Sequence, residues 1–343
     1  METLQTVWFA LTALLIAIFL VAGGIDFGAG ILSLFSDADS ASRKAGRILP
    51  FWDGNQVWLI TAVGALFAAF PKAYSAVLSS TYTASIALVL ILSMRVFSIE
   101  MIVSSKNAGA RNLWVRVFGW SSLSAFLLIG LLLGAISCGA VLTIDGNGSQ
   151  NIFRIFTLQS IVSGIMAAAF AAFQASLFFL HISSKRRIRR RERHAKNAFA
   201  VLCVSFALYI FSAIVEFPVF EPAYAQNVFV FALLLCLCSL PLFAINKILA
   251  DFHEPLVSII FSSLFAISLV AVHAFVAYPN IIPASADGAG MKIFDAGSSR
   301  TALAIMSVSA CLGIPLVVAY NIFSYKTALR GERETKRGKP RQA

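Results

Sequence analysis

The feature that most constrains this chain is its succession of apolar runs, each close to the length of a membrane-spanning helix. Only 13% of the residues are charged and the mean hydropathy is +0.84, whereas soluble domains have about 25% charged residues. A helix that crosses a bilayer needs about 20 apolar residues, so the runs predict an all-α, polytopic membrane protein. We predict nine spans, near residues 5–30, 53–70, 74–103, 115–142, 152–182, 197–217, 225–249, 256–279 and 301–325.

The basic residues predict how these spans are oriented. Of the 27 Lys and Arg residues, all but five lie in the odd-numbered loops and the C-terminal segment. Arg95 lies inside the third span, and the opposite side has only Lys72, Arg154, Lys292 and Arg300. Because cytoplasmic loops are rich in Lys and Arg, we expect the N-terminus outside and the C-terminus in the cytoplasm. Residues 1–328 then form a single transmembrane domain, and residues 329–343 form a basic cytoplasmic tail, expected to be disordered from Arg330 onward.

The net charge of +11 does not by itself indicate a nucleic-acid partner, since the basic residues lie between the apolar runs. The densest run, residues 185–196, has no accompanying nucleic-acid motif, so lipid anchoring and topology explain it better. The five cysteines all lie in apolar runs and predict core packing, not disulfides or a metal site. No basic residue precedes the first apolar run, so we expect that run to be a span and not a cleaved signal peptide.

A polar cluster opens the second span. Residues 52–61 read Trp-Asp-Gly-Asn-Gln-Val-Trp-Leu-Ile-Thr and continue into an apolar run that ends at Pro71. Polar groups near lipid need partners and usually have a task. We interpret Trp52 and Trp58 as interfacial or packing aromatics.

The carboxylate of this cluster has two interpretations. Asp53 can stabilise the free amides at the start of its helix. Alternatively, Asp53, Asn55 and Gln56 form a hydrophilic pocket that conducts protons or holds a polar group, because both carboxamides can donate and accept hydrogen bonds.

The first span contains Asp26 among four glycines. Gly24 and Gly28 have the GxxxG spacing that lets helix backbones approach closely, so packing explains the glycines. It does not explain Asp26, because a buried carboxylate needs an ion partner or hydrogen bonds. The topology puts Asp26, Asp53 and Arg95 at one depth, which permits Arg95 to pair with one or both carboxylates.

The histidines limit the cofactors that the chain can ligate. Of the four, only His273 lies clearly at membrane depth, and a haem held by two histidines within the membrane would need two there. We therefore predict that this chain ligates no haem or metal, and that His273 is a hydrogen-bonded core residue. Glu216, near the outer end of the sixth span, is interpreted as a helix-end acid in preference to part of an exit path.

Residues 52–61, followed by the run from Gly64 to Pro71, resemble the signature of subunit II of the cytochrome bd family of quinol oxidases. Residues 26–30, Arg95 and residues 295–299 add to the resemblance. It spans most of the chain, dense in the first hundred residues and sparse in the middle.

The resemblance implies two four-helix bundles plus one peripheral helix, pseudosymmetric with a larger subunit I. Subunit I would hold haem b and haem d, and the complex would oxidise ubiquinol and reduce dioxygen to water in the bacterial inner membrane. The present chain would ligate no haem, support assembly of the haem subunit, and deliver cytoplasmic protons through Asp53. Asp26 and Arg95 match family positions linked to stabilising the haem region across the interface. A small accessory subunit, lipids and quinone are further expected partners.

Some positions depart from the family pattern. Val96 and Val115 stand where the family often has Pro and Asp, and Phe294 replaces a Trp before Asp295. These differences favour the cyanide-insensitive branch.

Two other functions are compatible with the residues. A secondary transporter would use the intramembrane acids to bind substrate or ions, and it predicts broken helices in repeated pairs. A purely structural partner would assemble the haem subunit and conduct nothing.

Overall fold

The computed structural model describes residues 1–142, 152–182, 188–216, 238–242, 244–245, 255–284 and 290–336. Its helices are α1 (Glu2–Leu34), α2 (Ala38–Ile48), α3 (Trp52–Ala69), α4 (Pro71–Ser80), α5 (Tyr82–Ser104), α6 (Ala108–Ser137), α7 (Leu158–His181), α8 (Ile188–Glu216), α9 (Pro255–Ala277), α10 (Ile293–Ala296) and α11 (Arg300–Lys336). Residues 238–242 and 244–245 are also helical. Two 3-10 turns, Ala140–Leu142 and Ile152–Ile155, and one antiparallel pair of strands, β1 (Asn280–Ile282) and β2 (Met291–Lys292), lie between helices.

Helix α7 is the centre of the fold and packs against α1, α6, α8 and α9. Of its apolar segment, 78% lies inside the protein, as expected for a helix that is apolar or small on every side. Small residues make this possible: a Cβ on Gly164 would lie 2.7 Å from the carbonyl oxygen of Leu127 on α6. The backbones of α6 and α7 are therefore nearly in contact.

Helix α1 approaches α7 as closely, through Gly28. A Cβ at this position would lie 1.9 Å from the carbonyl oxygen of Ala171 and 2.7 Å from the Cβ of Ala175. Gly24, one turn earlier, faces Phe170 and Gln174 of the same helix at 3.1 Å and 3.4 Å. The two glycines thus lie on the face of α1 that packs against α7.

The chain bends by 118° between α3 and α4. Pro71 is the first residue of α4, where it needs no amide hydrogen. The last carbonyls of α3 are satisfied from the other end of the chain, because the Ser298 amide donates to Ala69 O at 2.8 Å and its hydroxyl donates to Ala68 O at 2.6 Å. The predicted third span, 74–103, is wrong at its start: α4 is a separate helix, and the spanning helix begins at Tyr82.

Helix α2 lies in the first loop, where no helix is predicted. Asp37 caps it by accepting a hydrogen bond from the Ser40 amide at 2.9 Å. Its apolar side, which includes Ala41 and Ile48, is fully buried, whereas Arg43 is exposed. It is therefore an amphipathic helix packed against α1, α5 and α6.

The all-α, multi-pass class is confirmed. Within the described ranges, seven helices are long and apolar enough to cross a membrane, and the bent pair of α3 and α4 would be an eighth. Six of the predicted spans overlap α1, α6, α7, α8, α9 and α11, with ends that differ by up to about ten residues. The predicted span 225–249 lies mostly outside the described residues, so the count of nine and the two bundles stay predictions. The expected disorder from Arg330 is wrong as far as Lys336, because α11 continues to that residue.

Replacing Gly28 by Ala should destabilise the protein, because the new methyl group overlaps the backbone of α7. We expect the free energy of unfolding to fall by about 1–3 kcal/mol or more, the usual cost of overpacking. The measurement is thermal denaturation of the detergent-solubilised protein. Gly64→Ala is the matched control, since nothing lies within 4 Å of its Cβ position and Ala is the better helix former by about 1 kcal/mol. Equal stability of the two variants would contradict the packing argument.

Candidate functional site

Two of the predicted site residues meet inside the helix bundle as an ion pair. Asp26 lies on α1 and Arg95 on α5, and both side chains are 0% exposed. Arg95 Nη2 lies 3.3 Å from Asp26 Oδ2. Arg95 therefore pairs with Asp26, one of the two acids at its predicted depth.

Helix α6 and two aromatic rings complete the surroundings of Arg95. Its Nε donates a hydrogen bond to Ser122 Oγ at 3.1 Å. Its guanidinium carbon lies 4.0 Å from the ring centroid of Phe27 and 5.6 Å from that of Phe118. The ring of Phe27 adds a cation–π contact, which is stronger away from water.

The pair retains unused hydrogen-bonding capacity. Within the described part of the chain, Asp26 Oδ1 and Arg95 Nη1 make no side-chain hydrogen bond, and Arg95 Nη2 has only its ion-pair contact with Asp26 Oδ2. Buried charged groups are expected to use such capacity. Asp26 Oδ1 is therefore the atom of this pair at which a proton could be accepted.

The two carboxamides of the motif, Gln56 and Asn55, link α3 to neighbouring helices. Gln56 Nε2 donates to Asp26 Oδ2 at 3.4 Å. Asn55 is 0% exposed; its Nδ2 donates to Ala22 O at 3.1 Å, and its Oδ1 accepts from the Tyr325 hydroxyl at 3.1 Å. Asn55 thus joins α3 to both α1 and α11.

Asp53 lies at the exposed end of the same motif. Its Oδ1 accepts a hydrogen bond from the Gly54 amide at 2.8 Å, and its Oδ2 accepts one from the Tyr320 hydroxyl at 2.9 Å. It lies in the first turn of α3, where the helix dipole favours a negative charge. The helix begins after Phe51, which makes no side-chain capping bond, so Asp53 is a first-turn acid and not the N-cap residue.

The tryptophans of the motif occupy different surroundings. Trp58 is buried in the core that α1, α3 and α6 share. Trp52 is half-buried and packs against a second core cluster, which includes Phe51 and Val115. Neither contacts the ion pair through an observed hydrogen bond, so their contribution is packing.

Residues of the site that the sequence did not predict come from α6 and α11. Ser122 contacts Arg95, and Tyr320 and Tyr325 contact the motif. The available signal was weak: two tyrosines and Asn321 at the end of an otherwise apolar helix are typical of any membrane interface.

His273 is a hydrogen-bonded core residue, as predicted. Its Nδ1 lies 2.7 Å from Leu269 O, and since a carbonyl only accepts, Nδ1 carries the hydrogen. Its Nε2 then accepts from the hydroxyl of Tyr209. No group of three or more His, Cys, Asp or Glu residues that could hold a metal occurs in the described ranges; His253 and Cys236 lie outside them. Glu216 is the last residue of α8.

Comparison with known proteins identifies the family. Residues 4–328 match the family described as cytochrome bd terminal oxidase subunit II. The chain belongs to this family. The resemblance inferred from residues 52–61 is therefore confirmed, and the chain is a subunit of a terminal oxidase, an oxidoreductase complex of the membrane.

Characterised relatives align with this subunit II over nearly their whole length. It is 26% identical over 358 residues to cytochrome bd-I ubiquinol oxidase subunit 2 of Escherichia coli (strain K12), covering 94% of each chain. It is 27% identical over 342 residues to cytochrome bd ubiquinol oxidase subunit 2 of Bacillus subtilis (strain 168), covering 95% of this chain and 96% of that one.

A solved structure shares the fold. The bd oxidase of Geobacillus thermodenitrificans contains a chain that superposes with a TM-score of 0.77 at 15% identity, over 95% of this chain and 98% of that chain. The arrangement of helices is therefore one that a bd oxidase subunit adopts.

Replacing Arg95 alone should destabilise this subunit more than replacing the whole ion pair. Arg95→Met leaves Asp26 buried without a counter-charge, which costs about 3–5 kcal/mol, whereas apolar replacement of both partners is often neutral. We expect Asp26→Leu with Arg95→Met to recover most of the lost thermal stability. Arg111→Met is the control, because it breaks a more exposed pair with Asp39 at 3.1 Å and should cost below about 1 kcal/mol. The assignment is wrong if Arg95→Met is as stable as Arg111→Met.

Proposed function

We propose that this chain is the non-haem subunit of a bd-type quinol oxidase, which supports assembly of a haem-binding subunit I and delivers cytoplasmic protons through Asp53. The observation that carries the proposal is a series of polar side chains in a member of the subunit II family. Exposed Asp53 is followed three residues later on α3 by Gln56, and Gln56 contacts the buried pair of Asp26 and Arg95. The relatives' names specify ubiquinol, which we take as the substrate of the complex.

The described histidines do not fit a haem site in this chain. His273 uses both ring nitrogens in hydrogen bonds, and His181 on α7 and His194 on α8 are exposed. We therefore assign haem b and haem d to subunit I. When bound there, these haems carry electrons from quinol to dioxygen.

The proposed proton route begins at Asp53, whose exposed carboxylate can take a proton from water. Gln56 is three residues further along α3, so the two side chains lie on the same face of the helix. Its amide contacts Asp26 at 3.4 Å, and Asp26 contacts Arg95, which reaches Ser122 on α6. Asp26 Oδ1, which makes no side-chain hydrogen bond, is the proposed proton acceptor at the inner end of the route.

The side of the membrane from which the protons come determines whether the reaction generates a proton gradient. Two quinols release four electrons and four protons, and dioxygen takes up the same numbers to form two water molecules. If the consumed protons come from the cytoplasm and the quinol protons leave on the other side, the reaction generates a proton gradient without a pump. Asp53 would then be the cytoplasmic acceptor.

The orientation of the chain supports a cytoplasmic position for Asp53. Arg111 at the start of α6 contacts Asp39 of α2 at 3.1 Å, which puts the first and third loops, both rich in basic residues, on one side. At the other end, Trp8 Nε1 of α1 donates to Leu303 O and Ser307 Oγ of α11. With the positive-inside rule, the N-terminus is periplasmic and the C-terminus cytoplasmic in the inner membrane.

Two alternatives receive different support. A transporter needs repeated pairs of broken helices, and the described ranges contain one bent pair, α3 with α4. A purely structural role has a specific observation in its favour: Asp26 and Arg95 are wholly buried within this chain, so they can support the haem region only through the helices that hold them. The two roles differ in whether Asp53 must titrate.

Asp53→Asn tests the proton role, because it preserves the shape and removes the titratable group. In the complex with subunit I, we expect ubiquinol oxidation and membrane-potential formation to slow by about tenfold or more, since positioned proton transfer contributes about 10²–10⁴-fold. Oxygen consumption and potential formation in membrane vesicles are the measurements, normalised to the reduced haem spectrum. Glu100→Gln is the matched control: it is also an exposed acid, at the end of α5, and should leave turnover unchanged. Wild-type rates in Asp53→Asn with intact haem would leave only the structural role.

A further inference from the structure

We propose that α11 completes the mouth of the proton route: Tyr320 positions the carboxylate of Asp53, and Tyr325 positions the amide of Asn55. The inference rests on the proposed function and adds positioning residues from the opposite end of the chain. It concerns the α3–α11 contact, defined as Asp53, Gly54 and Asn55 of α3 with Tyr320, Asn321 and Tyr325 of α11.

Little of helix α11 is covered by the rest of the chain. Only 6% of its apolar segment is buried inside the protein. Its N-terminal part is anchored by Leu303, which is 0% exposed and accepts a hydrogen bond from Trp8. Its C-terminal part meets α3 through polar side chains. If this contact only held the two helices together within the membrane, apolar residues would serve. The polar residues at this contact therefore indicate a further role.

The contact of Tyr320 with Asp53 fixes the orientation of the acid and leaves it exposed at the surface of the chain. Tyr320 is 44% exposed and Asp53 is exposed. One carboxylate oxygen is held by the Gly54 amide at 2.8 Å and the other by the Tyr320 hydroxyl at 2.9 Å. Two donors, one on each oxygen, fix the plane of the carboxylate.

Gly54 allows α11 to come this close. A Cβ at position 54 would lie 3.1 Å from both Asn321 Oδ1 and Tyr320 Cε1. Asn321 is 9% exposed; its Nδ2 donates to Val317 O at 3.0 Å, and its Oδ1 has no hydrogen-bond partner within the described residues. A buried acceptor thus lies beside the motif, just inward of the exposed acid.

Tyr325 contacts Asn55, a buried residue of the motif. Its ring stacks on Phe51 with centroids 4.4 Å apart, and its hydroxyl donates to Asn55 Oδ1 at 3.1 Å. Because Oδ1 of Asn55 is held by α11, its Nδ2 is directed to Ala22 O of α1. The orientation of this amide is therefore set by a residue 270 positions away in sequence.

A purely stabilising role for the two tyrosines and a positioning role have different consequences. Loss of a purely stabilising contact lowers the amount of folded complex. A positioning residue affects the turnover of the complex that has folded, and it does so only while its target can titrate. The effects of Tyr320 and Asp53 should then be non-additive, as for two groups that act together.

The experiment uses Tyr320→Phe, which removes one hydroxyl and keeps the ring, in the full complex with subunit I. We expect kcat for ubiquinol oxidation to fall about three- to tenfold, the effect of losing one ordinary intramolecular hydrogen bond, because Tyr320 and Asp53 are both exposed. The KM for ubiquinol and the reduced haem spectrum should not change. Tyr82→Phe is the matched control, since Tyr82 is 56% exposed at the first residue of α5. Adding Tyr320→Phe to Asp53→Asn should cause no further loss.

Tyr325→Phe provides a second variant with the same expected pattern: lower kcat per haem with KM unchanged. The inference is overturned if both phenylalanine variants turn over like Tyr82→Phe while Asp53→Asn is slow, and the proposed function then stands without it. It is also overturned if Tyr320→Phe and Asp53→Asn multiply in the double variant. Wild-type turnover in Asp53→Asn itself would reject the proposed function, which distinguishes the two failures.

Discussion

The salt bridge between Asp26 and Arg95 is the interaction on which the arrangement of the first helices depends. Neither charge can be buried alone without a large desolvation cost, so α1 and α5 must come together where Arg95 Nη2 reaches Asp26 Oδ2 at 3.3 Å. Ser122 brings α6 to the same guanidinium, and Gln56 brings α3 to the same carboxylate. Close approach makes this possible: a Cβ on Gly30 would lie 2.1 Å from Ser122 Oγ. Four helices therefore share one polar centre because α1 has glycines beside its acid.

The polar side chains on α3 and those on α7 are arranged differently. On α3, Gln56 lies three residues after exposed Asp53, and Gln56 contacts Asp26 of the buried ion pair. Along α7, by contrast, Gln159 bonds Ser212 at 2.5 Å and Gln174 bonds Ser263 at 3.1 Å, but buried apolar residues, Val162, Met166, Phe170 and Phe173, lie between the two glutamines. Rings of α8 and α9 pack into the same cluster. These polar pairs therefore join helices, whereas the group on α3 leads inward.

Much of the candidate site could be predicted from sequence, because charged residues in apolar runs are rare and each needs a partner. This reasoning put Asp26, Asp53 and Arg95 at one depth, and the structure pairs Arg95 with Asp26. It could not find Tyr320, since 267 positions separate it from Asp53 and a tyrosine near a helix end is an ordinary interfacial residue. Helix α2 was not predicted because it is short, with 11 residues, and amphipathic. The bend before α4 was not predicted because hydropathy does not report the direction of the chain.

The sequence by itself determined the environment, the helical class and the family, since the length of an apolar run, the distribution of basic residues and the motif at 52–61 are local properties of the chain. Only the tertiary structure decided that Arg95 binds Asp26 while Asp53 binds Tyr320. That choice depends on how helices rotate and how closely they approach. The rotation and the approach of the helices are set by the close contacts at Gly28, Gly30 and Gly54. These contacts join segments that are distant in sequence.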